Sequence, residues 1–273
     1  MTTTSLSLLA IILYIITWIL VTLAVRARIN TSDNTTAGAK SKAYNITWLL
    51  ALIAHITVLH LPLIQGKPLA LSLFSLGSYV MWFISLVLFI TTLKRKIESL
   101  ALFILPLAMI GLATPLIFGS SSETFINMKS GLGIHVLMSL LAYSFLMLAS
   151  FQALLLSSQN TRLHTHQSTG FFRTLPSLED MEHLLFRFIG IGVFLLSIAL
   201  LSGFYYLDNL FGSRIAHKTI LSILSWVIFS ALLFGRWKYG WRGKKAVRWT
   251  LAGFIVLMVA FFGTKLIQEF ILK

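Results

Sequence analysis

Eight long apolar runs, at about 5–25, 46–64, 69–93, 98–118, 131–157, 181–207, 217–236 and 247–268, restrict what this chain can fold into. Each approaches or exceeds the roughly 20 residues that a helix needs to cross about 30 Å of hydrocarbon. Lipid offers no partner for a bare peptide N–H or C=O, so such a run must satisfy its own backbone as an α-helix. Composition agrees, with 57% apolar and 11% charged residues and a mean hydropathy of +0.88. The expected fold class is all-α: a polytopic membrane helical bundle of about eight transmembrane helices, with 1–273 as a single integral membrane domain.

A net charge of +14 would point to nucleic acid in a soluble domain. Here the cations fall in short connections, where they set topology, so the bilayer is the expected partner and nucleic acid is not. With residue 1 outside, the inner side holds Arg26, Arg28, Lys40, Lys42, Lys94, Arg95, Lys96, Arg162, Arg173 and Arg187. Arg236, Lys238, Arg242, Lys244, Lys245 and Arg248 bring that side to sixteen cations, against six outside. Both termini are therefore expected to face outward. The first run has no preceding cation, is too long for a signal h-region and is followed at once by Arg26, so it is expected to be a retained span. Cysteine is absent, which rules out disulfides, thiolate metal sites and thiol chemistry within the chain.

Connections and breaks are legible too. Residues 30–45 read as a polar, flexible loop, and Pro62 and Pro68 flank a tight outer turn. Pro106 should kink span four. Ser177, followed by Glu179, Asp180 and Glu182, marks the start of span six, with its carboxylates at the positive end of the helix dipole. His183 and Arg187 read as interfacial anchors of that helix, His164 and His166 as residues of a solvated inner loop, and Trp237, Tyr239, Trp241 and Trp249 as an aromatic belt.

Coupled carriers and proton relays need acids inside the membrane. All eight acids lie in loops or near span ends, which argues against such a carrier. No phosphate-binding glycine loop, HExxH or GxSxG occurs, and no enzymatic activity is expected. Histidines are the remaining candidates. At about 1.5 Å of rise per residue, His60 and His135 each fall roughly 6 Å inside the outer face, and His217 begins span seven there. His55 lies about 7.5 Å deeper than His60 and on a different face. Each imidazole alone reads as a hydrogen-bonded interfacial residue. Three at one level, beside Gly131, Gly133, Phe204, Tyr205, Tyr206 and Phe211, could instead meet a flat apolar ligand, and imidazole is a good axial ligand for haem iron.

The stretch from Leu175 to Trp249 packs two spans, an aromatic outer hairpin and a basic inner hairpin into 75 residues. Its motifs are Leu-Pro-Ser-Leu at Leu175–Leu178, Arg187, Gly-Trp-Arg-Gly at Gly240–Gly243, and the later Gly253–Phe254. Together with His135-Val136 and Tyr143, they resemble the cytochrome c assembly membrane proteins of the CcsA/ResC type, above all a shorter HemX-like branch. The similarity runs over roughly residues 130–265. It implies a bacterial inner-membrane location, so that the outward termini are periplasmic, and puts His135 at the position of a haem ligand; the depth count adds His217 or His60 as the ligand opposite it.

The sequence also departs from that family. Haem-handling members carry a tryptophan-rich outer loop ending in Trp-Asp-Pro-Lys-Glu-Thr. Alignment on Lys218 and Trp226 puts Ala216 at its Asp, His217 at its Pro and Thr219 at its Glu. The outer loop here has no tryptophan, and the C-terminal GTKLIQEFILK lacks the family's second outer histidine. The surface that presents haem for ligation is thus expected to be absent. Three readings follow. The first is a haem-binding or haem-handling protein with haem and other membrane proteins as partners. The second is a cofactor-free scaffold or accessory subunit. The third, disfavoured by the missing acids, is a solute permease.

Overall fold

The computed structural model describes residues 3–30, 34–65, 72–94, 97–118, 131–164, 175–206 and 216–263. They form α1 (Thr3–Asn30), α2 (Asn34–Ile64), α3 (Leu73–Lys94), α4 (Glu98–Phe118), α5 (Gly131–His164), α6 (Leu178–Tyr206), α7 (Ala216–Tyr239) and α8 (Lys244–Met258). A π-helical turn, Val259–Gly263, continues α8. No strand occurs among the described residues, and all eight helices are long and apolar enough to cross a membrane. The all-α, eight-span reading holds.

Helix ends depart from the apolar runs most at α2 and α5. The α2 helix begins at Asn34, inside the stretch expected to be a flexible loop. The fifth candidate span reaches Leu163, past the expected end at 157. Helical hydrogen bonds are internal, so a helix can continue through polar residues once it leaves the lipid. Hydropathy locates the membrane boundary and leaves the helix end open.

The described helices form two compact units, α1–α4 and, from α5 as far as Thr161, α5–α8. In the first, α1 packs along α2 and α4, and α3 along α4 and α2. Polar side chains tie these helices together. The imidazole of His55, fully buried, bridges Tyr14 Oη (3.1 Å from Nδ1) and Ser78 Oγ (3.0 Å from Nε2), so α1, α2 and α3 meet at one ring. Trp48 Nε1 donates to Ser85 Oγ at 2.9 Å and Trp82 Nε1 to the Leu52 carbonyl at 2.9 Å. Glu98 is buried at the first turn of α4 and accepts the Tyr44 hydroxyl at 2.9 Å.

Proline explains two further bonds. Pro106 and Pro115 both lie inside α4, and each lacks the N–H that would bond the carbonyl four residues back. Those carbonyls belong to Leu102 and Gly111. Trp18 Nε1 of α1 donates to Leu102 O at 3.0 Å, and Thr114 Oγ1 donates to Gly111 O at 3.1 Å. An orphaned carbonyl in hydrocarbon costs several kcal/mol, so these substitute donors allow the helix to run through both prolines.

The second unit relies on close approach. A Cβ on Gly192 of α6 would meet Leu146 of α5 at 2.7 Å, and one on Gly253 of α8 would meet Phe229 of α7 at 2.9 Å. Small residues let membrane helices pack backbone to side chain where no hydrophobic drive separates them from lipid. Tyr143 is buried against the rings of Phe254, Phe261 and Phe262, with centroids 5.0–5.5 Å away. Trp226 Nε1 donates to Ser197 Oγ at 2.8 Å, Ser225 Oγ to Gly253 O at 2.9 Å and Gln152 Nε2 to Met181 O at 3.1 Å. These pairs run the helices antiparallel. One end of the unit is basic and carries the α7–α8 turn. The other carries the starts of α5 and α7.

Candidate functional site

Gly131-Leu-Gly-Ile-His opens α5, placing His135 just over one turn into the helix and half-buried. Its Nδ1 lies 2.7 Å from the Ala199 carbonyl of α6. A carbonyl only accepts, so Nδ1 carries the proton and Nε2 presents its lone pair. The Ser202 hydroxyl donates to the same carbonyl at 2.9 Å and sits 3.3 Å from Nδ1, so two donors share one acceptor. Nε2 has no hydrogen-bond partner among the described residues. The ring is thus fixed in orientation and tautomer, with one coordinating nitrogen free. Phe204, Tyr205 and Tyr206, all exposed, end α6 at this same end of the unit.

His217 is the second residue of α7 and is exposed. Ser197 and Trp226 set α6 level with α7, and Ala199 sets α5 level with α6. Counting about 1.5 Å per residue along these helices, His217 stands roughly 10 Å further out than His135. His60 belongs to the first unit. Its Nδ1 lies 3.1 Å from the Ile56 carbonyl one turn back and is by the same logic the protonated nitrogen. Its ring meets Tyr79 edge-on at 5.8 Å, and Nε2 again lacks a hydrogen-bond partner among the described residues. His55, with both nitrogens engaged, is a clamp between helices.

The other sequence expectations fall as follows. His183 is exposed and lies 3.7 Å from Glu179 one turn back, as a surface pair. The side chain of His164, along with His166, Phe211, Pro68, Asp33, Glu123, Asp208 and Glu269, lies outside the described residues. Sequence reasoning missed Ala199, which acts through a backbone carbonyl and so leaves no signature. It also missed Ser202, readable only as a small polar residue near the end of a span. Besides standing near the positive end of the α6 dipole, the Glu182 carboxylate accepts the Gly243 N–H at 2.7 Å and pairs with Arg236 at 3.8 Å.

Comparison with known proteins agrees with these features. Residues 43–272 match the family described as cytochrome C assembly protein. The chain is 30% identical over 228 residues to the inner membrane protein YpjD of Escherichia coli K12, covering 83% of this chain and 86% of that protein. An uncharacterized 28.8 kDa protein of Azospirillum brasilense is 28% identical over 141 residues, 51% of this chain and 52% of that one. The cytochrome c biogenesis protein CcsA of Prochlorococcus marinus is 30% identical over 116 residues, covering 42% of this chain and 36% of the relative. No solved structure matches. The eight spans, the histidine near the start of α5 and the glycine-framed turn between α7 and α8 therefore belong to a member of the cytochrome c assembly protein family.

Proposed function

We propose that this chain, a multi-pass bacterial inner-membrane protein, handles haem through His135 and performs no catalysis by itself. The observation that carries the reading is the Nδ1 bond to Ala199 O at 2.7 Å. Ligating histidines usually donate their other ring N–H to a carbonyl or carboxylate, which fixes the tautomer and raises the basicity of the coordinating nitrogen. The residues present fit a haem in one respect: His135 would hold it through its free Nε2, and the exposed aromatics at the end of α6 would give it an apolar flank. A bound haem would supply a redox-active iron, and this chain's residues would hold and orient it. Relatives named for cytochrome c biogenesis and for the inner membrane support the setting, with other membrane proteins of assembly as partners.

The test is an absorption spectrum of the full chain purified in mild detergent after expression with ample haem. A Soret band is expected. His135→Ala should weaken it, and His135→Gly should regain it with added imidazole. A colourless protein, or a band indifferent to His135, would refute the proposal. The second reading, a scaffold that has lost its ligand, draws on the absence of tryptophan from the outer loop. Under that reading the triple substitution of His60, His135 and His217 by Ala leaves folding and partner binding intact.

A further inference from the structure

We propose that the α7–α8 turn is a docking surface for the phosphodiester headgroups of anionic phospholipids. Six cations, Arg236, Lys238, Arg242, Lys244, Lys245 and Arg248, occupy thirteen residues. Charge bias alone would fix topology with cations on flexible side chains in any connection. This turn is instead built to hold its shape. Gly240 and Gly243 take φ of 64° and 60°, a region that side chains with a Cβ rarely adopt. Trp241 N–H donates to Gly235 O at 3.1 Å, and the Trp241 ring lies where a Cβ on Gly235 would stand, 2.4 Å away. Glu182 ties the turn to α6 through the Gly243 amide and Arg236.

Two of the six cations are engaged inside this scaffold: Arg236 with Glu182 and over Phe186, and Lys245 over the Trp241 ring at 3.7 Å. Lys238, Arg242, Lys244 and Arg248 are exposed and form no ion pair among the described residues. The carboxylates at this end are those of α6. Glu182 is occupied, Glu179 lies against His183, and Asp180 is exposed. At this end, seven cations from Arg187 and the 236–248 stretch thus stand against three acids of α6. Trp237 is 82% exposed and Tyr239 67%, and such amphipathic rings partition to headgroup depth. An excess of fixed positive charge at that depth complements a phosphodiester, and each such cation strengthens anionic-lipid binding by about fivefold.

The experiment uses the full chain, delipidated in neutral detergent and titrated with phosphatidylglycerol, phosphatidylcholine or inorganic phosphate, with bound lipid counted by native mass spectrometry. Wild type should retain phosphatidylglycerol in preference to phosphatidylcholine. Arg242→Gln/Lys244→Gln/Arg248→Gln should lose that preference by roughly tenfold or more. The matched removal of Arg26, Lys42 and Lys94, each to Gln, should cost clearly less, because these cations lie outside the fixed turn. Lys244→Glu alone serves if the triple variant does not fold. Absence of a lipid preference, equal losses in both triple variants, or full displacement by inorganic phosphate would each overturn the proposal, the last in favour of a soluble anion.

Discussion

The bond from Trp18 to Leu102 gives the sharpest test of how this bundle accommodates proline. Pro106 cannot donate to the Leu102 carbonyl, and the Trp18 indole N–H takes its place at 3.0 Å. Trp18→Phe removes that donor, while the partly exposed position leaves room for the smaller ring. A polar group left unsatisfied costs about 1–3 kcal/mol, whereas measured side-chain hydrogen bonds within membranes average about 0.6 and reach about 1.7. Pro106 removes the i+4 donor of this carbonyl and lipid supplies no water in place of Trp18, so we expect a loss of about 1–2 kcal/mol, near the top of the membrane range. Pro106→Ala restores a backbone N–H to that carbonyl. In its background Trp18→Phe should cost only a few tenths of a kcal/mol, giving a coupling of about 1 kcal/mol in a double-mutant cycle. Stability is read by titrating the purified protein with dodecyl sulfate in mixed micelles and following far-ultraviolet circular dichroism. An equal loss in both backgrounds would show that Trp18 contributes only packing, and the account of the proline would fail.

Other perturbations separate the remaining contacts. His55→Leu removes the shared partner of the Tyr14 and Ser78 hydroxyls and should cost about 1–3 kcal/mol in the same dodecyl sulfate titration, while His55→Asn, able to bond one of them, should cost less. Gly192→Ala drives a methyl to 2.7 Å from Leu146 and should destabilise by about 1–3 kcal/mol, with partial recovery when Leu146→Ala is added. Glu182→Ala frees the Gly243 amide and Arg236, so trypsin should cut the 240–248 turn roughly tenfold faster or more, for a charge-assisted bond of about 1.5–3 kcal/mol. Glu182→Gln keeps an oxygen acceptor and should fall between the two, as fragment masses would report.

Spans and turns could be read from the sequence because each answers to a local rule. Lipid demands an internally bonded helix, so the apolar runs alone located all eight. The Gly240–Gly243 turn was visible as a short basic break between two apolar spans, and the structure adds that both glycines take positive φ. The interhelical bonds could not be read in this way. Trp18 and Leu102 are 84 residues apart, and nothing in either neighbourhood names the other. Pro106 marked a carbonyl in need of a donor without saying which helix supplies it. The histidines show the same limit. Depth could be counted along each helix, but neither the partner of each nitrogen nor the Ala199 carbonyl leaves a mark in the sequence.

Those nitrogens decide what a histidine within the membrane can do. A neutral imidazole has one donor and one acceptor. His55 engages both with side chains of two other helices, so no ligand can coordinate it without breaking the junction of α1, α2 and α3. His135 commits only its donor, and to a backbone carbonyl that substitution of a side chain cannot remove. Its acceptor is left over, and in a dry interior that would be a standing cost of about 1–3 kcal/mol, so such an atom persists where water or a ligand can reach it. Loss of the ring should therefore weaken the fold more at His55 than at His135. The same residue type closes a helix junction at one position and keeps a nitrogen open at the other, and the division follows from which of its two nitrogens the surrounding helices have already used.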